Sequence, residues 1–299
     1  MQVRKARFAV ASIVAIAVAF SVPLAKAQTQ ASCNFKVFSL NQSHPNNPAT
    51  HPWGVNDNTT VVGYGDFPNA TPGFKAFVRK SGGATSYWLP SGALWSWFNN
   101  RNNNGTTVGG YVDASKQGHA VILQGSTVTE VNDPKAQPGS TMVHGVNKFN
   151  TTVGQYTGLK GKQNGFKRYS SGGFVDVDYP GSNETLPWSI NDNGTIVGTY
   201  HGSDTEDHGF IYRNGSFATL DYLKKPSQTD LYGISNAGVI VGDAAGPVAF
   251  LYKNGKFERI AVPNLPPSAT TVRGISADGI ISGEVSKSGH WYGYTATCQ

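Results

Sequence analysis

The sequence predicts an all-β fold: a six-bladed β-propeller of four-stranded antiparallel blades, closed by the N-terminal strand. Three observations predict it. A strand–turn–strand pattern recurs six times, and its copies lie 41 to 46 residues apart. That period is typical of propeller blades and is too long for one rung of a β-helix. The chain holds 36 glycines and 13 tyrosines, and no apolar segment shows the 3.6-residue period of a helix.

The first element in chain order is a leader. Three basic residues within the first seven positions precede an apolar run over residues 8–22, and Ala25-Lys26-Ala27 is a small-x-small cleavage site. We therefore predict a signal peptide over residues 1–27 and a single propeller domain over residues 28–299. The alternative is a membrane anchor, but the run is short for a span of about 20 residues. Secretion to a bacterial periplasm or to the extracellular space is expected.

Cleavage of the leader leaves a nearly balanced charge. The leader holds four of the 24 basic residues and none of the 18 acidic ones, so 20 basic residues remain. No Lys/Arg cluster remains that is typical of a nucleic-acid or anionic-lipid surface. The sequence therefore predicts no nucleic-acid partner and no membrane insertion after cleavage, and we expect a monomer.

Each repeat combines two hairpins. In the fourth repeat the inner hairpin is S-I-N-D-N-G-T-I-V-G (189–198), whose Asn193-Gly194 pair suits a tight turn with positive φ. The outer half, H-G-F-I-Y-R-N-G-S-F (208–217), again reads strand, turn, strand. Two hairpins in series give the four strands of one blade. The other inner hairpins span residues 54–63, 100–109, 145–154, 233–242 and 274–283.

The repeat unit resembles a known family. The pattern G-I-N-x-x-G-x-I-V-G, followed by H-A-F-x-x-x-x-G, is similar to the HAF repeat of predicted extracellular bacterial proteins. The matching positions are His119-Ala120, His208-Gly209-Phe210, Lys75-Ala76-Phe77 and Val248-Ala249-Phe250. The resemblance covers residues 34–297. It implies a secreted bacterial repeat protein and brings no catalytic residues, because the family is defined by structural repeats.

The two cysteines mark the place where the ring is expected to close. The sixth repeat ends after Y-G-Y-T-A-T (292–297) without a fourth strand, whereas N-F-K-V-F-S-L (34–40) is an extra strand at the other end. Aligned with the fourth repeat, Cys33 and Cys298 fall on the two residues of the missing hairpin turn. We predict a Cys33–Cys298 disulfide, because a secretory route favours oxidation. Unpaired cysteines and an intermolecular bond are the alternatives.

Catalytic and metal-binding motifs are missing from the sequence. The histidines show no His-x-His or Glu-x-x-His spacing, and no G-x-S-x-G, P-loop or dinucleotide pattern occurs. His119 and His208 share one repeat position, which predicts structural hydrogen bonds. Asp204, Glu206 and Asp207 form an acidic loop without the ladder of a calcium site. The sequence predicts no catalytic residue, no metal site and no cofactor.

The asparagines and tryptophans include residues that repeat with the blades and residues that do not. An asparagine recurs after the first strand of four repeats and is expected to bond turn backbone; the positions are Asn56, Asn102, Asn147 and Asn191. Trp53 and Trp188 share a repeat position and are predicted to lie in the core. Trp95 and Trp97 match no other repeat and lie beside a loop. Because paired Trp faces bind sugar rings or apolar patches, they are the candidate ligand-binding residues, with local packing as the alternative.

These observations favour a secreted, non-catalytic propeller that acts as a binding or scaffold module for a cell-envelope polysaccharide or a protein partner. The alternative is a propeller enzyme, either a glycan hydrolase or lyase or a metal-dependent lactonase, with its site at the mouth of the central channel. An enzyme should gather two or three carboxylates or histidines from different blades there. A third possibility, an adhesion or assembly protein, predicts an apolar patch of several hundred Å² near Trp95 and Trp97.

Overall fold

The computed structural model describes residues 29–40, 49–66, 73–224, 228–246 and 248–299, so the predicted signal peptide and His44 lie outside the described residues. These residues form 24 strands and one short 3-10 helix, Pro267–Ala269. No helix among them is both long enough and apolar enough to pass through a bilayer.

After β1 (Cys33–Phe38) the strands follow one another in groups of four, except that the last group has three. The first groups are β2 (Thr50–Val55), β3 (Val61–Asp66), β4 (Phe74–Arg79) and β5 (Thr85–Trp88), then β6 (Trp95–Arg101), β7 (Thr107–Val112), β8 (Gly118–Gln124) and β9 (Thr127–Val131). Next come β10 (Met142–Val146), β11 (Thr152–Thr157), β12 (Gln163–Arg168), β13 (Phe174–Asp176), β14 (Glu184–Ile190), β15 (Ile196–His201), β16 (Asp207–Arg213) and β17 (Ser216–Thr219). The last are β18 (Thr229–Ile234), β19 (Ile240–Ala244), β20 (Val248–Lys253), β21 (Lys256–Arg259), β22 (Thr270–Ile275), β23 (Ile280–Lys287) and β24 (His290–Cys298).

These strands form antiparallel meanders arranged as a β-propeller. Four sheets are separate and four-stranded: β2–β5, β6–β9, β18–β21, and β22–β24 with β1. The fifth sheet has eight strands and contains two meanders in series, β10–β13 and β14–β17.

The prediction of six separate blades therefore needs a correction, because the structure has four separate four-stranded sheets. The meanders over β10–β17 share one sheet through a single parallel pair, Gln163 with Glu184. Strand β13 has three residues and pairs only with Phe166–Arg168 of β12. The beginning of β12 is thus left open to the start of β14.

The first strands of the meanders surround the centre of the ring. These strands are β2, β6, β10, β14, β18 and β22; each contacts the next, and β22 contacts β2. Each first strand contains a β-bulge at the same repeat position, seen as a shift in register against the second strand. The bulged residues are Trp53, Asn99, His144, Trp188, Tyr232 and Arg273. A bulge re-aims the side chain that it carries.

The glycine inside each second strand is required by the close approach of the bulged first strand. A Cβ at Gly63 would lie 2.0 Å from the carbonyl oxygen of His51, and one at Gly198 would lie 2.2 Å from that of Leu186. The glycine therefore permits a close backbone approach between neighbouring strands of one meander.

The hydrophobic core lies between neighbouring meanders. Val61 and Val62 on β3, like Ile196 and Val197 on β15, are adjacent in sequence and are almost completely buried. Both faces of these middle strands are therefore covered, as their continuous apolar sequence predicts. The aromatic side chain of the third strand, such as Phe210, fills the space over the glycine of the second strand.

A buried hydroxyl fastens each first strand to the preceding meander. Thr185, for example, accepts a hydrogen bond from the backbone N–H of Tyr179 at 3.0 Å. The same contact is made by Thr50, Ser96, Thr141, Thr229 and Thr270. All six lie three residues before a bulge and are 0–5 % exposed. A buried hydroxyl that accepts a backbone N–H therefore recurs at every junction between meanders.

The N-terminal strand lies at the outer edge of the last meander. β1 pairs with β24 in antiparallel register, with Cys33 opposite Cys298. The two cysteines form a disulfide, and their Cα atoms are 4.1 Å apart. The predicted disulfide is confirmed. The residues before β1 also attach to the neighbouring meander, since Ala31 donates its N–H to the carbonyl oxygen of Arg259 at 2.9 Å.

Candidate ligand site at the mouth of the central opening

The central opening has two ends with different chemistry. The inner hairpin turns surround one end, which we call the turn end. The first strands begin at the other end, which we call the mouth. The mouth residues lie two positions before each bulge: His51, Trp97, Met142, Leu186, Asp230 and Thr271. Each is paired with a residue on the second strand: Tyr64, Gly110, Gln155, Thr199, Asp243 and Glu284 respectively.

At the turn end, a chain of asparagine contacts joins the meanders. Asn147 accepts a hydrogen bond from the N–H of Thr151 at 3.1 Å, which holds its own turn. Its Nδ2 donates to the carbonyl oxygen of Asn191 in the next meander at 3.2 Å. Asn56, Asn102 and Asn191 make the same pair of contacts. The predicted bonding to turn backbone is confirmed, and the contact to the neighbouring meander was not foreseen.

The six bulged residues form a layer across the centre, which we call the floor. Trp53 and Trp188 come from opposite sides of the ring, yet their ring centroids are 5.9 Å apart. The Tyr232 ring lies 5.5 Å from that of Trp188, and the Arg273 guanidinium lies 4.9 Å from the Tyr232 ring. The cavity between these side chains measures about 10 Å³, roughly the space of one water molecule. The floor therefore blocks the opening, and Trp53 and Trp188 pack at its centre.

Several buried polar atoms at and above the floor make no hydrogen bond of good geometry with the described residues. They are Nε1 of Trp53, Nε2 of His144, Nε of Arg273, Oε1 of Gln155 and Oγ1 of Thr271. Unpaired buried polar atoms are rare and usually contact water or a ligand. Their concentration around the centre of the ring therefore indicates a site for a polar molecule.

His144 contributes a neutral imidazole to this layer. Burial lowers its pKa to about 4, and a contact with Gln155 offsets this only in part. Its ring packs 4.3 Å from that of Trp188, and the Asn99 amide lies 3.5 Å from Nδ1. At neutral pH the floor thus has one cationic side chain, Arg273.

One side of the mouth is charged. Arg273 Nη1 lies 3.5 Å from an oxygen of Asp243, and its Nε lies 4.0 Å from Oε1 of Glu284. The same oxygen of Glu284 is 3.2 Å from Nδ1 of His51. Asp230 lies beside this group, and its Oδ1 accepts a 2.6 Å hydrogen bond from the Thr199 hydroxyl. Three neighbouring meanders therefore bring their ionisable side chains to one part of the mouth.

Burial weakens the ionisation of these acids. Desolvation raises the pKa of Asp243 to about 7, although the Arg273 guanidinium and the N–H of Val272 oppose the rise. Desolvation also raises the pKa of Asp230, while the Thr199 hydroxyl opposes it. Desolvation lowers the pKa of Arg273, but Tyr232 and Asp243 more than compensate, so that pKa is raised. The charged side can therefore exchange protons near neutral pH.

The other side of the mouth is apolar. Trp97, Met142 and Leu186 come from three consecutive first strands, β6, β10 and β14. Met142 is 41 % exposed, and Trp97 and Leu186 are half-buried. The Trp97 indole lies against Gly110, where a Cβ would be 2.6 Å from Cζ2 of the ring. Gly110 thus makes room for the indole beside the opening.

A series of aromatic contacts leads outward from His51. The His51 ring stacks on Tyr64 at 4.7 Å, Tyr64 meets Phe74 at 5.8 Å, and Phe74 meets Trp95 at 6.3 Å. Phe74 is 41 % exposed and Trp95 is half-buried. The two tryptophans singled out from the sequence therefore both lie at the mouth, Trp97 beside the opening and Trp95 further out.

Sequence reasoning missed the charged side. Its residues fit no motif, because each lies on a different strand and at an ordinary strand position. They are His51, Asp230, Asp243, Arg273 and Glu284. A signal was nevertheless present in the aligned repeats. The residue type changes from repeat to repeat at three positions: the bulge, the position two residues before it, and the position just after the second-strand glycine. The neighbouring positions keep Thr or Ser and Gly.

His119 and His208 belong to the blades, as predicted. His208 Nδ1 lies 2.8 Å from Asp221 and its Nε2 lies 3.2 Å from Asp204, while the ring stacks on Tyr200. His119 repeats this arrangement with Asp113, Glu130 and Tyr111. These histidines hold outer strands in place.

The carboxylates of the acidic loop pair with histidines. Asp204, Glu206 and His208 are the only group of possible metal ligands found within the described residues, and their ligand atoms lie within 4.8 Å of one another. Both carboxylate oxygens of Asp204 already face His208 Nε2, at 3.2 and 3.3 Å. Asp207 contacts His201 at 3.0 Å. The loop therefore serves histidine pairing, and no second feature points to a bound ion.

No protein-family model matches the chain, and no curated protein matches it in sequence. Its fold is similar to several solved structures. A Bacteroides thetaiotaomicron protein of unknown function is 9 % identical over 90 % of this chain and 77 % of that one, with a TM-score of 0.52. AofleA from Arthrobotrys oligospora is 12 % identical over 89 % of both chains, with a TM-score of 0.50. XC5397 from Xanthomonas campestris, described as a gluconolactonase, aligns with a TM-score of 0.49 at 10 % identity over 93 % of this chain and 99 % of that one. At such identities the likeness concerns the fold alone.

Proposed function

We propose that this chain is a secreted β-propeller that binds a carbohydrate of the bacterial cell envelope at its mouth. One observation carries the proposal: an apolar side with Trp97, Met142 and Leu186 faces a side of carboxylates above a floor with unpaired polar atoms. Sugar rings need both kinds of surface, because their C–H faces pack on aromatic rings and their hydroxyls bond to charged and polar groups.

A blade count of six is part of this proposal. We count the eight-stranded sheet as two blades, and we regard the pairing of β1 with β24 as the closure of the ring. The cyclic contacts of the first strands support this count, and the Cys33–Cys298 bond supports the closure. The mouth would then be formed by six blades that each supply one side chain.

Secretion is supported by the leader-like N-terminus, by the resemblance to the HAF repeat and by the disulfide, which is typical of oxidising compartments. We expect the mature chain to act as a monomer. A protein partner is the alternative to a glycan, and the exposed side chains of Phe74 and Met142 beside the mouth would suit it.

The binding proposal is tested with the mature chain on a glycan array, followed by calorimetry on the best glycan. Trp97→Ala should weaken binding about tenfold or more, because an aromatic stacking surface is lost. Phe149→Ala is the matched control, since Phe149 is 58 % exposed in an inner turn at the opposite end. Unchanged binding by Trp97→Ala, or the absence of any glycan ligand, would contradict the proposal.

A second candidate function, an enzyme at the same mouth, is favoured by one contact. Buried Glu284 holds Nδ1 of His51, and no partner of His51 Nε2 is found within the described ranges. A histidine that is oriented by a carboxylate through one nitrogen can accept a proton through the other. If the mouth is catalytic, His51→Gln should abolish glycan or lactone turnover, followed by NMR, and should leave binding within about threefold. The enzyme alternative fails if wild-type protein leaves every bound glycan intact.

A further inference from the structure

The carboxylates of the mouth differ in their partners. Asp243 pairs with Arg273, and Glu284 lies between Arg273 and His51. Asp230 forms no ion pair within the part of the chain that the structure describes. Its carboxylate is half-buried, and its side-chain hydrogen bonds come from neutral hydroxyls, those of Thr199 and Tyr232. Buried carboxylates are normally paired, so this one favours a positively charged partner.

The orientation of Asp230 is set by a short relay of hydrogen bonds. The Trp188 indole N–H donates to Thr199 Oγ1 at 3.2 Å, and the Thr199 hydroxyl donates to Asp230 Oδ1 at 2.6 Å. The carboxylate is therefore held at the mouth by the floor below it. Thr199 is itself buried, which fixes the geometry without adding positive charge.

The neighbouring meander supplies an apolar surface next to this charge. Leu186 on β14 and Asp230 on β18 hold the same repeat position on consecutive first strands, and these strands contact each other. Trp97 and Met142 continue the apolar side away from Asp230. A ligand that suits both groups has an apolar ring face and a cationic substituent.

We propose that the mouth recognises amino sugars, with the ammonium group of the sugar pairing with Asp230 and the ring face packing on the apolar side. This inference rests on the proposed carbohydrate binding and names its class. A neutral sugar would leave Asp230 without a cation, and an acidic sugar would add a fourth carboxylate to the mouth. The amino sugar supplies Asp230 with a cation.

The test compares two probes of equal length, the β-1,4-linked tetramer of glucosamine and that of N-acetylglucosamine, by calorimetry at pH 6. The deacetylated tetramer should bind about tenfold tighter, because a charge-assisted hydrogen bond is gained. Asp230→Asn should reduce this preference to less than about threefold. Asp230→Glu should keep it, because the charge is retained.

Asp278→Asn is the matched control, since it removes the same charge from an exposed position at the turn end. If Asp230→Asn fails to fold, as judged by circular dichroism, Thr199→Val replaces it and should lower the preference by releasing the carboxylate. Equal binding of both tetramers overturns this inference and leaves the carbohydrate proposal standing. A preference that persists in Asp230→Asn overturns it too, as does failure of both tetramers to bind. If other glycans on the array then bind, only the amino-sugar assignment is lost.

Discussion

Histidine 208 illustrates how single residues stabilise the outer strands. Burial alone would lower its pKa, but hydrogen bonds to Asp221 and Asp204 more than compensate, so the pKa is raised above the ordinary value of 6.5. The ring is 12 % exposed and stacks on Tyr200 with a centroid distance of 5.0 Å. The imidazole between two carboxylates therefore connects the third strand of this meander to the loop before it and to the segment that follows the fourth strand.

This arrangement predicts a pH dependence of stability. A pKa that is raised on folding means that the contribution is complete below the unfolded value of about 6.5 and is lost as pH rises through the folded pKa. We expect the free energy of unfolding of wild-type protein to exceed that of His208→Gln by about 0.5–1 kcal/mol at pH 5.5. The difference should shrink by pH 9, measured by urea denaturation. A difference that grows with pH would contradict this account.

At the scale of the element, each inner hairpin has a turn that is held by its own hydrogen bonds and that also bonds to the next meander. Oδ1 of Asn147 accepts hydrogen bonds from Phe149 and Thr151 within its own turn, and Nδ2 donates to Asn191 in the next meander. In the last two repeats serine replaces asparagine. Ser235 and Ser276 still accept a turn hydrogen bond, from Val239 at 3.1 Å and from Ile280 at 3.0 Å. The two tasks of the asparagine can therefore be separated.

Substitutions at Asn147 should separate these tasks. Asn147→Ala removes all three side-chain hydrogen bonds in a buried turn and should lower the free energy of unfolding by about 2–3 kcal/mol. Asn147→Ser should restore the turn contact and cost only about 1 kcal/mol. Chemical denaturation of the two variants and of wild-type protein measures the difference. Equal losses for serine and alanine would show that the hydroxyl cannot replace the amide in this turn.

At the scale of the whole molecule, the two ends of the chain meet in one sheet. β1 lies against β24 over six residue pairs, and the disulfide joins positions 265 residues apart. Residues before β1 also bond to the neighbouring meander, where Arg259 donates its N–H to Thr29 at 3.0 Å. The N-terminal segment therefore connects two sheets, and the disulfide holds it there.

Removing this bond should weaken the whole molecule. The double variant Cys33→Ser/Cys298→Ser should lose up to about 5 kcal/mol of stability, because cross-linking so long a loop restricts the unfolded chain. Differential scanning calorimetry should show a lower Tm for the variant and for reduced wild-type protein. Since the chain holds two cysteines, reductant should leave the Tm of the double variant unchanged. A Tm of the oxidised wild-type protein equal to that of the variant would contradict the expected role.

Most of the residues at the mouth could not be predicted from the sequence. The repeat period, the turn residues and the cysteine positions depend on contacts within short windows or on copies of them, so they could be read along the chain. Trp97 was singled out because it departs from the repeat. Asp230 and Glu284 also depart from it, but a carboxylate in a strand shows its significance only when its neighbours in space are known. The sharing of one sheet by β10–β17 likewise depends on the pairing of Gln163 with Glu184, which lie in different repeats.

The sequence by itself determined the meander, the turn chemistry of the asparagines and the pairing of Cys33 with Cys298, because each depends on local geometry or on repetition. Only the tertiary structure decided which side chains meet at the centre. The bulge in each first strand turns one residue per meander toward its neighbours in the floor, and residues about 44 positions apart in sequence become neighbours there. The separation of an apolar side from a charged side arises from the order of the meanders around the ring, which brings the start of the chain, at His51, next to Glu284 near its end.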